Sequence, residues 1–250
     1  LHLLSRRQRQ MCIRDRSGID NLFQEETLLS NIKIAAYFIL LYEHFEDVVI
    51  STVKEFYAHD CVLNGQLFLS IDDAYIQCLE KRIENGEKPC THLKHSLVSA
   101  KRERKIYKKE ILGSKKNEDA KALRGSLKWL QEHYVISEEE NELIFSIRKR
   151  RNTLVHELLK EIGNGLDEQD IQMIVKLLKL QQRINAWRVK QIDMQIMEIK
   201  LPKEEKPDDV MGGDDAVLES MFRILFCGEG PQFKEALEKE SAKLLFKQQR

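Results

Sequence analysis

The sequence predicts an all-α fold: an antiparallel helical bundle of long helices with a small helical C-terminal appendage. Three observations carry this. Apolar residues recur at spacings of three and four along most of the 250 residues, the pattern of helices with one buried face. No stretch alternates with the period of two that a half-buried strand needs. Breakers are scarce, with four prolines and eleven glycines against 33% charged and 7% aromatic residues, a balance that suits a helix-rich protein. A chain of this length buries a sizeable core in one domain, or in one domain plus an appendage.

Residues 1–17, LHLLSRRQRQMCIRDRS, stand apart from the bundle as a non-native or disordered segment. The string RQRQMCIRDR resembles translated adapter sequence and is set aside from the fold; the rival reading is a basic arm for nucleic acid. Whole-chain charge is balanced, 41 basic against 41 acidic residues. The first 17 residues hold five arginines and one aspartate, so 18–250 carries 36 basic and 40 acidic residues, a net of −4. No global field attracts nucleic acid or membrane, and any such attraction is local.

Residues 18–200 form the expected bundle. Glu25 to Tyr57 holds helical spacing through Leu28, Ile32, Ala36, Ile39, Leu40, Phe45, Val49 and Val53 without a breaker. Asn64-Gly65 marks a turn, after which Ser70, Asp72 and Asp73 open a helix to about Ile83, ended by Asn85-Gly86. A third helix spans about Thr91 to Leu112 and stops near Gly113; a fourth spans Asn117 to Tyr134, with Gly125 a mild weakness inside it. The fifth covers 138–162. Ser137 and Glu140 have capping-box spacing at its start, and Gly163 and Gly165 supply its stop. A sixth runs from Asp167 to about Ile199. Short connections favour antiparallel neighbours. Residues 201–215, LPKEEKPDDVMGGDD, read as a linker, and 216–250 as the appendage, with helices at Ala216–Phe226 and Gln232–Lys247.

The longest apolar run, Ala35 to Tyr42, has eight residues, whereas a membrane span needs about 20; no membrane association is expected. The five cysteines (Cys12, Cys61, Cys78, Cys90, Cys227) are odd in number and lack CxxC spacing, which reads as reduced thiols in a cytoplasmic protein. His59, Cys61, Cys90, His92 and His95 include metal-ligand types but match no zinc signature, so no metal is expected. Walker, GxGxxG and GxSxG motifs are absent, which disfavours phosphate-loop and nucleophile-elbow chemistry.

The chemistry concentrates in the fifth helix, in Arg151-Asn152-Thr153-Leu154-Val155-His156. Asn152 and His156 are four apart and share a face; Arg151 and His156 are about 7.5 Å apart along the axis and about 140° around it. Attack of a ribose 2′-hydroxyl on its own phosphodiester needs a base, an acid and positive charge on the phosphorane oxygens. Histidine suits the first two roles and arginine the third, since its planar fork matches phosphate oxygens. One helix supplies one histidine, and a two-fold dimer would supply the second.

The segment IRKRRNTLVHELL resembles the signature of the HEPN superfamily: an arginine, a polar residue, then a histidine after a spacing of four to six residues. Arg151, Asn152 and His156 are the matching positions, and the preceding WLQEHYVISEEE also looks like what precedes the motif in bacterial members. The resemblance spans about residues 20–200. It implies a helical bundle that dimerises so that two motifs line one cleft. It further implies metal-independent RNA endonuclease activity without a cofactor, in a toxin or phage-defence setting, with a nucleotidyltransferase-type antitoxin as possible partner. His156 would be general acid or base, Arg151 would stabilise the phosphorane and Asn152 would orient the phosphate or the imidazole. Members with degenerate motifs only bind, so the alternative is a non-catalytic module for RNA, nucleotide or a protein partner. Lys101, Arg104, Lys105 and Lys108 form a basic stripe that, with Arg148 and Arg150, could follow an RNA backbone; the competing account is a solvated helix face.

Overall fold

The computed structural model describes residues 25–59, 70–87, 90–113, 118–193 and 213–226. Among these the fold is an all-α helical bundle with no strand. The helices are α1 (Glu25–His59), α2 (Asp73–Glu84), α3 (Cys90–Tyr107), α4 (Glu118–Glu132), α5 (Glu138–His156), α6 (Leu158–Asn164), α7 (Glu168–Arg188) and α8 (Gly213–Phe226). Single π-helical turns, Lys108–Leu112 and Val189–Asp193, extend α3 and α7. Residues 1–17, most of the expected linker (201–212) and the expected helix 232–247 lie outside the described residues. The last three linker positions, Gly213–Asp215, form the first turn of α8, where Asp215 complements the positive helix end.

The chain divides into two compact units that interleave in sequence. The first comprises 1–41, 151–174 and 211–250. Its buried side chains include Ile34, Tyr37, Phe38 and Leu41 of α1, Leu154 of α5, Ile162 of α6, Ile174 of α7 and Leu218 of α8. Tyr37 ties α1 to α8: its hydroxyl donates to the Leu218 carbonyl at 2.8 Å, and its ring lies 5.8 and 5.6 Å from those of Phe222 and Phe226. Burial pushes the Tyr37 hydroxyl above its ordinary range, with Glu219 adding to the effect. Asn31, 4% exposed, does a job that its polarity hid. Its amide donates to the Ile162 carbonyl at 2.9 Å and accepts from the Leu166 N–H at 3.2 Å. It thereby satisfies backbone groups at the end of α6 that the helix leaves unpaired.

The second unit comprises 42–150 and 175–210. Tyr42, Phe45, Val49, Leu123, Leu127, Ile144, Ile147 and Ile184 are buried within it. Phe56, Trp129 and Trp187 form an aromatic cluster, with Trp129 4.8 Å from Phe56 and 5.8 Å from Trp187. The Tyr57 hydroxyl donates to Glu110 at 2.5 Å; burial, then that carboxylate, raises it above its ordinary range. The capping box at α5 is reciprocal: the Ser137 N–H donates to Glu140 at 2.8 Å, and the Glu140 N–H donates to the Ser137 hydroxyl at 3.2 Å.

Glu140 also accepts from Arg183 of α7. Burial alone would raise this carboxyl, but the Arg183 hydrogen bond and charge and the Ser137 N–H outweigh it and hold Glu140 below its ordinary value. A depressed folded-state value contributes stability that is present above the unfolded value, about 4.3, and is lost as pH falls through the lower folded value. Glu140→Gln is therefore expected to flatten the fall in melting temperature between neutral and acid pH. Parallel acid profiles of the two proteins would contradict the assignment.

Candidate functional site

The six-residue motif closes α5. The helix starts firmly, with three glutamates (138, 139 and 140) in its first turn and the reciprocal cap behind them, and it is anchored by Ile144, Ile147 and Leu154, all fully buried. Positions 151, 154 and 147 share the inner side of the helix, so Arg151 is half-buried, whereas Asn152 and His156 face outward and are exposed. Arg151 Nη1 donates to Asn152 Oδ1 at 3.0 Å, which orients the amide beside the guanidinium. The fold thus brings two of the three motif side chains into direct contact and leaves the third, His156, open to solvent.

The expected helix 138–162 is interrupted at one residue. Glu157, with φ −123° and ψ 29°, separates α5 from α6, so His156 is the last residue of its helix. The hydrogen bonds on either side persist: the Glu157 N–H donates to Thr153 O at 2.8 Å, and the Glu161 N–H donates to Glu157 O at 2.9 Å. Glu157 is held below its ordinary value by Lys160. The kink turns the following face. Leu154 and Ile162 stay buried, while Val155, Leu158 and Leu159, which the periodicity puts on the apolar face, are 41%, 38% and 79% exposed. Asn152, Val155, His156 and Leu159 consequently form an outward stripe in which polar motif residues alternate with aliphatic ones.

The other basic candidates lie in the second unit. Arg148 and Arg150 are half-buried on α5. Lys101 of α3 pairs with Glu80 of α2 at 2.7 Å. The Arg104 guanidinium donates to the Ile71 carbonyl at 3.0 Å and to Asp73, fastening α3 to the start of α2. Lys105 is exposed and Lys108, in the π turn, half-buried. Among the described residues no three His, Cys, Asp or Glu side chains gather so as to hold a metal ion; His95 is exposed, and the side chains of His59, Cys61, Cys90 and His92 lie outside the described residues. No described helix is long and apolar enough to cross a membrane.

No family model, no curated protein and no solved structure matches this chain. What the site can do is therefore argued from its own side chains: an exposed imidazole at a helix end, an arginine whose fork is partly turned to a neighbouring amide, and an aliphatic surround open to a partner.

Proposed function

We propose that this chain is a metal-independent RNA endonuclease of HEPN type that acts as a homodimer. The observation that carries the reading is the exposure of His156 on the same helix face as Asn152, with Arg151 donating to that asparagine. A general base must reach the proton it removes, and a solvent-facing imidazole can meet a polynucleotide strand. In the reaction the 2′-hydroxyl oxygen forms a bond to phosphorus while its proton passes to one imidazole. The bond from phosphorus to the 5′-oxygen breaks, and that oxygen takes a proton from a second imidazolium. The products are a 2′,3′-cyclic phosphate and a 5′-hydroxyl. Arg151 offsets the charge that builds on the phosphorane oxygens, and Asn152 orients the phosphate.

Base and acid call for two histidines, and the motif helix holds one. The second comes from another copy in a two-fold pair. Val155, Leu158 and Leu159 around the motif, with Leu29, Ile32 and Leu40 of α1 in the same unit, supply the exposed aliphatic surface that such a pairing covers. A toxin or phage-defence role in the cytoplasm, restrained by a nucleotidyltransferase-type antitoxin, follows from the same resemblance. The aliphatic stripe equally suits the second reading, a non-catalytic module that engages RNA, nucleotide or a protein partner.

The two readings part on one assay. The purified protein is expected to cleave RNA in the presence of a chelator and to leave cyclic phosphate ends. RNA bound without cleavage, with Arg151→Ala weakening the binding while the fold persists, would replace the enzyme with the binding module.

A further inference from the structure

A second arrangement, outside the motif, lies within the second unit. Between α4 and the π-helical end of α3 opens a cleft of about 570 Å³, within the ~300–1,000 Å³ of small-molecule sites. One of its walls is a π turn, a backbone form that tends to accompany functional sites. Lys121, Glu110 and Glu132 line the cleft, and beside them stand Arg124, Lys128 and Trp129 of α4 and His133 just past its end.

The last four side chains divide into a cationic part and a planar part. Arg124 rests over the Phe145 ring, 5.8 Å from its centroid, and among the described residues no carboxylate takes up its guanidinium. Its N–H fork is therefore available to a ligand anion. Lys128, one turn on, is 75% exposed and only loosely engaged by Glu132, at 3.5 Å. At the other end the His133 ring stacks on Trp129, with centroids 3.7 Å apart and planes 23° from parallel. Nδ1–H of His133 donates to the Trp129 carbonyl at 2.8 Å, which fixes the ring plane and leaves Nε2 without a partner among the described residues. The Trp129 indole beneath is 6% exposed and packed against Phe56 and Trp187, so the platform is rigid.

We infer that this cleft binds a nucleoside monophosphate, with the phosphate held by Arg124 and Lys128 and the base laid on the exposed face of the His133–Trp129 stack. An anion alone would use the arginine and ignore the stack, and an apolar ligand would leave the guanidinium unsatisfied; a nucleotide uses both. None of the residues involved belongs to the RNTLVH motif, so this site stands or falls separately from the ribonuclease reading.

Calorimetric titration of the full chain with AMP, GMP, CMP and UMP in turn, and with inorganic phosphate as comparison, tests the inference. At least one nucleotide is expected to bind saturably and more tightly than phosphate. Arg124→Gln is expected to weaken it roughly tenfold or more, the value of one charge-assisted contact. His133→Ala is expected to remove the advantage over phosphate. Lys176→Ala, an exposed change on α7, serves as the control and is expected to leave the affinity unchanged, while Arg151→Ala reports separately on any binding at the motif. Because Arg124 and His133 are exposed, retained helical circular dichroism in both variants will separate lost binding from lost fold. Absence of saturable nucleotide binding at millimolar concentration, phosphate binding as tight as nucleotide, or affinity that follows Arg151 rather than Arg124 would each overturn the assignment.

Discussion

Gly125→Ala is expected to lower the melting temperature by roughly 4–8 °C, although the same change inside an ordinary helix raises stability by about 1 kcal/mol. A Cβ at this position would lie 2.9 Å from both the carbonyl carbon and Cγ2 of Ile111 and closer still to its carbonyl oxygen. Ile111 belongs to the π turn Lys108–Leu112, where the extra residue in the ring pushes the backbone outward, toward α4. The clash is with main chain, which cannot swing aside as a lysine tip can. Overpacking of this kind costs about 1–3 kcal/mol. At the upper end, less the helix-propensity gain, about 2 kcal/mol remains, and each kcal/mol corresponds to about 2–4 °C in a chain of this size. Lys128→Ala, an exposed change one turn along, is the comparison and is expected to move the midpoint little. A higher melting temperature for Gly125→Ala would show that the π turn does not press on α4.

Gly125 also marks the limit of what the residues disclosed on their own. Its neighbours in sequence give a helix and nothing more, since the close approach depends on a π turn for which Lys108–Leu112 carries no distinctive spacing. Local signals fared better. The Ser137/Glu140 spacing gave the start of α5 as a reciprocal cap. Asn85-Gly86, Gly113 and Gly165 gave ends that the structure realises with positive φ at all three glycines; Gly163, read as part of a stop, is instead helical and buried. Helix existence and approximate length follow from a 3.6-residue period, which is a property of contiguous residues. Partners distant in sequence do not follow from it. Examples are Tyr37 with Leu218, Asn31 with Ile162, and Arg104 with Asp73, whose guanidinium looked like part of a solvated stripe. The motif was legible as composition, and its setting was not. The kink at Glu157, which puts His156 at a helix end and leaves Leu159 exposed, breaks the very periodicity that placed both residues on one helix. The Trp129–His133 stack had a visible i, i+4 spacing, but only the cleft gave that pair a meaning.

His156→Ala is expected to reduce RNA cleavage by about 10⁴-fold, the largest effect of any single change. Positioned proton transfer contributes roughly 10²–10⁴ per catalytic group. In a two-fold pair the one substitution removes both the base and the acid, because the same residue supplies each role from opposite chains. Arg151→Ala removes electrostatic stabilisation of the phosphorane and is expected to cost about 10²–10³. Arg151→Lys should recover only part of this, since an ammonium keeps the charge and loses the fork. The effect of His156→Ala should not be a folding effect: the ring is exposed at the last position of α5, and surface changes of this kind stay within about 0.5 kcal/mol. The pH profile offers a check that a merely structural role would not pass. Cleavage that needs one neutral and one protonated imidazole has a bell-shaped dependence. The residual activity of His156→Ala should therefore lose both limbs together. A variant that retains the bell, or that cleaves within about threefold of the parent rate, would take His156 out of the reaction and leave the exposed RNTLVH stripe as a docking face.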